Sequence, residues 1–306
     1  MNQTTLGYVL VVVAVLLWAG NAVIGRIAPD AHVPPLALNF WRWTVAFLVL
    51  APFALPKLYA QRTLFKMHWR LWTVFGAITV AGFNSAYYIG LQYTTVVQGT
   101  LISAALPIMV IVAARVFLSQ PITPRQLAGV ATSIIGVALI VLRGDLRALH
   151  GFVFNIGDLW MLAAVTMWAA QIILIRFLPK GMDLVAFQVM AFVAGLIVVA
   201  PFYAAESIGG RPMPLTWTAA MFVGYAGLVA SVIGFTCWNM GVMRIGPKAA
   251  GYFGNLFPIF GAALGIILLG ESFRWFHAVG GLITLAGIYL ATVAPTASPQ
   301  QAAKSG

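Results

Sequence analysis

The amino-acid sequence predicts an all-α integral membrane protein whose ten transmembrane helices form two inverted five-helix repeats. Three observations lead there: apolar runs of membrane-spanning length, charges confined mostly to the segments between them, and residues that recur about 150 positions apart. Of 306 residues, 62% are hydrophobic and only 8% charged, with a mean hydropathy of +0.97. A soluble domain carries about 25% charged residues. A helix needs roughly 20 predominantly apolar residues to cross a bilayer, and runs of about that length can be placed ten times along the chain.

The first run, 6–26, lacks a basic leader and is followed by nine more, so it is read as a retained span and not a cleaved signal peptide. It carries WAGN at 18–21. The second, 36–55, holds Arg42 between Trp41 and Trp43, a cation expected to snorkel to the outer interface. The third, 70–91, contains FNSAYY at 83–88, and the fourth, 95–117, runs from Gln98 and Ser103 to Pro107. Gly129 and Gly136 lie in the fifth, 124–142. The sixth, 156–177, opens near Asp158, a residue type favoured at helix caps, and carries WAAQ at 168–171. The seventh is 183–204 and the eighth, 215–238, ends in FTCW. The ninth, 247–269, has Lys248 at its start and Tyr252 and Asn255 on the approach to Pro258. The tenth, 274–293, contains GGLITLAGIYL. Residues 295–306 are small, polar and Pro-containing, and are expected to form a disordered cytoplasmic tail.

A formal charge of +11 and a pI near 10.2 would suit a nucleic-acid binder only if the charges formed a basic face on a soluble surface. Here they alternate between sides of the membrane. With the N-terminus inside, eleven of the 17 Lys and Arg fall in cytoplasmic segments: Lys57, Arg62, Lys66, Arg70, Arg115, Arg125, Arg176, Lys180, Arg244, Lys248 and Lys304. Five fall outside (Arg26, Arg143, Arg147, Arg211 and Arg274), and Arg42 lies within a span. That bias puts both termini in the cytoplasm of an inner-membrane protein. The single Cys, Cys237, has no partner for a disulfide or a cysteine metal site, and no cofactor is expected.

The recurrence divides the chain. Trp18 and Asn21 match Trp168 and Gln171 at a spacing of 150, and Pro52-Phe53 matches Pro201-Phe202 at 149. Gly90, Pro107, Leu118, Gly129 and Gly136 match Gly241, Pro258, Leu269, Gly280 and Gly287 at 151. Residues 1–145 and 146–294 are therefore two copies of one unit. Five spans per copy is an odd number, so the second copy enters the membrane from the opposite side, an architecture that in secondary transporters places the substrate between the repeats near the midplane.

Polar side chains within hydrocarbon point to the protein interior. Trp18 and Asn21 share a helical face, as do Trp168 and Gln171, and both pairs are expected to line a common cavity. Asn84, Tyr87 and Tyr88 of the third span pair with Trp238 and Asn239 of the eighth, while Gln98, Ser103, Tyr252 and Asn255 approach Pro107 and Pro258, which are expected to kink their helices as hinge or gate. Such a lining suits a largely apolar or aromatic solute with a small polar handle.

WAGN, WAAQ, Pro258, LLGE at 268–271 and the Gly-rich last span resemble EamA-type members of the drug/metabolite transporter superfamily over nearly the whole chain. In place of Gly270-Glu271 the first half has Ser119-Gln120. The resemblance implies a metabolite exporter working by alternating access, with amino acids, aromatic ones in particular, as the leading substrate class. The six acidic residues (Asp30, Asp145, Asp158, Asp183, Glu206 and Glu271) fall in loops or at span ends, which favours uniport over proton coupling. Lys248 and Arg42 keep an organic-anion exchanger open as an alternative, and a drug exporter or channel are others. HExxH, GxSxG and GK[ST] motifs are missing, so no enzyme is expected. Two fused halves complete the pair, so the expected state is a monomer in the lipid bilayer with a small-molecule substrate.

Overall fold

The structure, a computed structural model, describes residues 2–27, 31–94, 102–145, 147, 155–269 and 272–292. These residues form helices and connecting turns, with no strand among them. In chain order the helices are α1 (Gln3–Ile27), α2 (Pro35–Ala60), the short α3 (Arg62–Met67), α4 (69–93), α5 (Leu106–Leu118), α6 (Pro124–Val141), α7 (Ile156–Phe177), α8 (Leu184–Ile208), α9 (Trp217–Ile245), α10 (Pro247–Leu268) and α11 (Trp275–Thr292). Among the described residues, eight of them are long and apolar enough to cross a membrane; α4 is more polar than these, and α5 has 13 residues.

Most helices start at a chemically marked cap. Thr123 and Gln126 close a capping box at α6, with Pro124 in the first turn. At α7, Asn155 accepts from Gly157 N at 2.7 Å while Asp158 accepts from Asn155 N at 2.9 Å. Asp158 is thus the inner member of a capping box whose N-cap is Asn155, and its other oxygen takes the Thr94 hydroxyl at 2.5 Å. Asp183 and Thr216 cap α8 and α9. Each cap supplies an acceptor to main-chain N–H groups that have no partner within the helix.

α2 and α8 both run beyond the expected ends at 55 and 204, through Pro52 and Pro56 and through Pro201. Contacts at the two ends of this antiparallel pair hold the extensions. At one, Lys57 pairs with Asp183 at 2.8 Å and Gln61 bonds both Gly181 O and Asp183 N. At the other, Pro34 leaves α2 without a side-chain cap, and Glu206 of α8 accepts from Ala37 N at 2.9 Å instead.

Helices in lipid gain little from burying apolar surface against each other, so tight association depends on small residues that let backbones touch. The crossing of α6 and α11 is built this way. A Cβ on Gly136 would lie 2.6 Å from Gly280 O, and one on Gly129 2.7 Å from Gly287 O. The pairing runs antiparallel. α1 crosses α9 where Gly7 meets Gly241, and α7 crosses α4 where Gly157 meets Gly90: Cβ atoms on Gly241 and Gly157 would stand 3.0 and 2.7 Å from the facing carbonyls. Gly76 of α4 presses on Ala191 of α8, and Gly227 of α9 on Arg42 O and Val45 of α2.

These crossings form an ordered set. α1 packs on α9 as α7 packs on α4, α2 on α9 as α8 on α4, and α1 on α10 as α7 on α5, while α2–α8, α5–α10 and α6–α11 pair across the halves. Exchanging each helix of residues 1–145 for its counterpart leaves these principal contacts unchanged.

Replacing Gly136 by Val should destabilise the protein by about 1–3 kcal/mol, because neither backbone has room to retreat. Gly281, which faces open space, should accept Ala with stability unchanged or raised by up to about 1 kcal/mol. Thermal unfolding in detergent micelles compares the two. In the same assay Asp158→Ala should cost about 1–3 kcal/mol, since it removes a cap and strands the buried Thr94 hydroxyl, with Asp158→Asn falling between.

Candidate functional site

α4 and α9 share an irregularity invisible to hydrophobic periodicity. Each is wound as a π-helix through its middle, over Ala77–Phe83 and Tyr225–Gly234. A π turn loosens the main-chain ladder and recurs at functional sites. The carbonyls it frees accept from other helices: Val80 O takes Asn39 Nδ2 at 3.1 Å, and Ala230 O takes Trp18 Nε1 at 3.0 Å. Side chains also turn back onto carbonyls five residues earlier, Ser231 onto Ala226 O at 2.8 Å and Asn84 onto Thr79 O at 3.3 Å.

Beside these segments the three tryptophans expected at the site meet. Trp18 of α1 is 5.8 Å from Trp168 of α7 and 5.1 Å from Trp238 of α9, and Trp168 is 6.0 Å from Trp238, measured between ring centroids. Phe83 extends the cluster from Trp168 at 5.6 Å to Tyr87 at 6.1 Å. The rings touch one another and do not stand around an open cavity. Contacts at these separations and tilted geometries are favourable for π-systems.

The amides expected here are buried alongside. Asn21 Oδ1, Gln171 Nε2, Trp238 Nε1, both polar side-chain atoms of Asn239 and the Tyr252 hydroxyl have no hydrogen-bond partner among the described residues. About nine in ten buried polar groups in folded proteins are paired, so this concentration leaves hydrogen-bonding capacity at the centre of the bundle. Asn84 is buried and bonded. Tyr252 and Asn255 stand with Pro107 and Ser133 along a narrow crevice between α5, α6, α10 and α11, where Asn255 Nδ2 donates to Ser133 Oγ at 2.7 Å. The expected residues therefore fall into two groups within one core, the tryptophan cluster and this crevice. Both proline kinks lie at interruptions: α10 breaks at Gly254–Asn255 just before Pro258, and a turn at Ala104–Ala105 precedes Pro107. Ser103 lies just before that turn and Tyr88 on α4, but the side chain of Tyr88 is outside the described residues, as are Gln98 and Glu271 entirely.

Arg42 departs from expectation. It does not reach the interface but is 5% exposed, seven residues into α2, about 10 Å of helical rise from Pro35. Nε donates to Ser231 Oγ at 3.0 Å and Nη1 to Asn84 Oδ1 at 3.4 Å, and the guanidinium lies 5.1 Å from the Trp43 ring. The polar acceptors beside the two π segments draw it inward. Asn39 and Gln188, completely buried at positions 149 apart, were also not singled out from the sequence: Asn39 binds Val80 O, and Gln188 Oε1 accepts from Thr236 Oγ1 at 3.1 Å. The signal that could have found them is the one used for Asn21 and Gln171, an amide within an apolar run. Lys248 is bonded to Pro121 O, away from the tryptophans.

A cleft of about 380 Å³ opens elsewhere, at the α2 N-terminus, between Pro35, Leu36, Ile89, Phe202, Glu206 and Arg211. None of the expected site residues lines it. No group of three or more His, Cys, Asp or Glu that could hold a metal ion occurs among the described residues.

The model of the EamA-like transporter family matches residues 5–142 and 155–293. An uncharacterized transporter of Archaeoglobus fulgidus is 27% identical over 298 residues, covering 95% of this chain and 98% of its own. A "probable amino-acid metabolite efflux pump" of Salmonella typhimurium is 26% identical (92% and 93% covered), and a "probable terminal-alkyne amino-acid exporter" of Streptantibioticus cattleyicolor is 26% identical (91% of each). A protein of known crystal structure superposes with a TM-score of 0.76 at 19% identity, over 95% of this chain and 96% of that one, a likeness of fold.

Proposed function

The chain belongs to the EamA-like transporter family and is a multi-pass membrane protein, and from that premise we propose that it exports amino acids, aromatic ones above all. The observation that carries the proposal is the meeting of Trp18, Trp168 and Trp238 beside buried amides without partners. Aromatic faces receive a flat apolar side chain, and the free amide groups receive its polar end. That two relatives carry names referring to amino acids supports the same class.

In this reading α4 and α5 join the eight long apolar helices as spans three and four, which makes ten, with both termini cytoplasmic and an inner-membrane location. The two-fold exchange of helix contacts and the antiparallel α2–α8 and α6–α11 pairs support inverted five-helix repeats. Alternating access then consists of one set of crossings loosening while its counterpart closes, with the breaks at Pro107 and Pro258 as hinges. Asp145, Asp158, Asp183 and Glu206 stand at helix ends or beyond, away from the tryptophans, which favours uniport without ATP or proton coupling. One chain holds both repeats and works as a monomer.

Purified protein in liposomes should accumulate labelled phenylalanine against preloaded unlabelled phenylalanine, the counterflow that an open pore cannot produce. Trp18→Ala and Trp168→Ala should each slow it about tenfold, the equivalent of one lost aromatic contact of about 1.4 kcal/mol, with the variant still folded. A pH gradient alone should drive no uptake, and uphill movement under it would refute uniport. For the topology, Asn2→Cys and Ser305→Cys in a Cys237→Ser background should react with an impermeant maleimide only after cells are permeabilised; labelling of either in intact cells contradicts the ten-span arrangement.

A further inference from the structure

We propose that Arg42, with Asn84 and Ser231, binds the carboxylate of the transported solute, so that an anionic group is a condition of recognition. The inference rests on the substrate-site reading above and adds the charge that the reading leaves unassigned. A guanidinium keeps its charge in proteins and offers five N–H donors in a fixed fork suited to a carboxylate. At Arg42, among the described residues, two of those donors are used, both on neutral acceptors, and no described carboxylate pairs with it. A buried ion without a counter-ion is expensive, and ionisable groups held within a membrane protein characteristically mark a solute path. The Trp43 ring offsets part of that penalty but leaves the net charge in place.

The position fits a ligand that spans both features. Ser231 follows Ala230, whose carbonyl holds the Trp18 indole, and Asn84 follows Phe83, which packs on Trp168. The cation therefore sits one residue along from the contacts that fix the aromatic cluster, on both π-wound helices at once. A carboxylate at Arg42 would leave an aromatic side chain within reach of the tryptophans. The counterpart position in the second half is Ala191, so the molecule has one such cation and binds its solute in one orientation.

The test is quenching of intrinsic tryptophan emission by three probes: phenylalanine, 3-phenylpropionate, which has only the carboxylate, and phenethylamine, which has only the ammonium. Wild-type protein should bind both carboxylates more tightly than the amine. Arg42→Gln should weaken both carboxylates at least about tenfold, as loss of a charged hydrogen bond does, and leave phenethylamine unchanged. Equal carboxylate affinity in folded Arg42→Gln, or tighter wild-type binding of the amine than of 3-phenylpropionate, overturns the proposal.

Should Arg42→Gln not fold, Asn84→Asp serves, since it places a carboxylate beside Arg42 in the solute's stead. That variant should melt higher than wild type and lose both carboxylate probes, and retained carboxylate binding refutes the site. Phenylalanine counterflow separates the two readings. Normal flux in Arg42→Gln sinks the carboxylate site alone. Absent flux in wild type, with 3-phenylpropionate still bound through Arg42, sinks the aromatic amino-acid assignment alone.

Discussion

Close approach of helix backbones is the constraint on which the rest of this molecule depends. Lipid tails are as apolar as leucine, so helices that merely bury apolar side chains gain nothing over staying apart. At the α1–α9, α4–α7 and α6–α11 crossings, glycine on both helices removes the obstacle, and carbonyls reach the facing backbone. What these contacts position is chemical. Gly20 leaves room for Tyr225, whose hydroxyl donates to Leu17 O at 3.2 Å, and this tie sets α1 against the π segment of α9 so that the Trp18 indole meets Ala230 O. A bulkier residue at any of these crossings would move the aromatic cluster along with the helix that carries it.

Polar groups follow from the same solvent. Within hydrocarbon each N–H and C=O needs a partner inside the protein. Where α2 begins without a cap of its own, the carboxylate of Glu206 arrives from α8; where α4 and α9 widen, Asn39 and Trp18 fill the freed carbonyls. Against so complete a settlement of main-chain groups, the unpartnered side chains of Asn21, Gln171, Asn239 and Tyr252 and the unpaired charge of Arg42 stand apart. They are concentrated in the core, where the helices of the two halves meet.

Much of this was legible in the sequence, for physical reasons. Bilayer thickness imposes a length on every apolar run, so most span limits agree within a few residues, and the Gly matches at 129 and 280 and at 136 and 287 turned out to be a single crossing seen from its two sides. Tryptophans 150 residues apart came together because they occupy corresponding faces of helices that both cross at glycine. Other features left no trace. A π turn depends on hydrogen-bond register, which residue periodicity does not encode, so the partners of Asn39 and Arg42 could not be read. Arg42 between two tryptophans has the composition of an interfacial anchor, and only the acceptors on distant segments, Asn84 and Ser231, turn it inward. Helices α2 and α8 outrun their hydrophobic stretches for a similar reason: tertiary bonds at Lys57 and Glu206, far apart in sequence, hold their polar ends.

The widened turns have a consequence for how such chains can diverge. Each α-helical residue advances the chain by about 100°. Losing one amino acid from 77–83 or 225–234 would let the helix relax to ordinary winding, and everything downstream would swing around by roughly that angle. Asn84 and Tyr87, or Trp238 and Asn239, would then face the lipid. Substitutions can accumulate in these stretches, but their length is frozen; insertions and deletions are admissible only in the connections outside the bilayer.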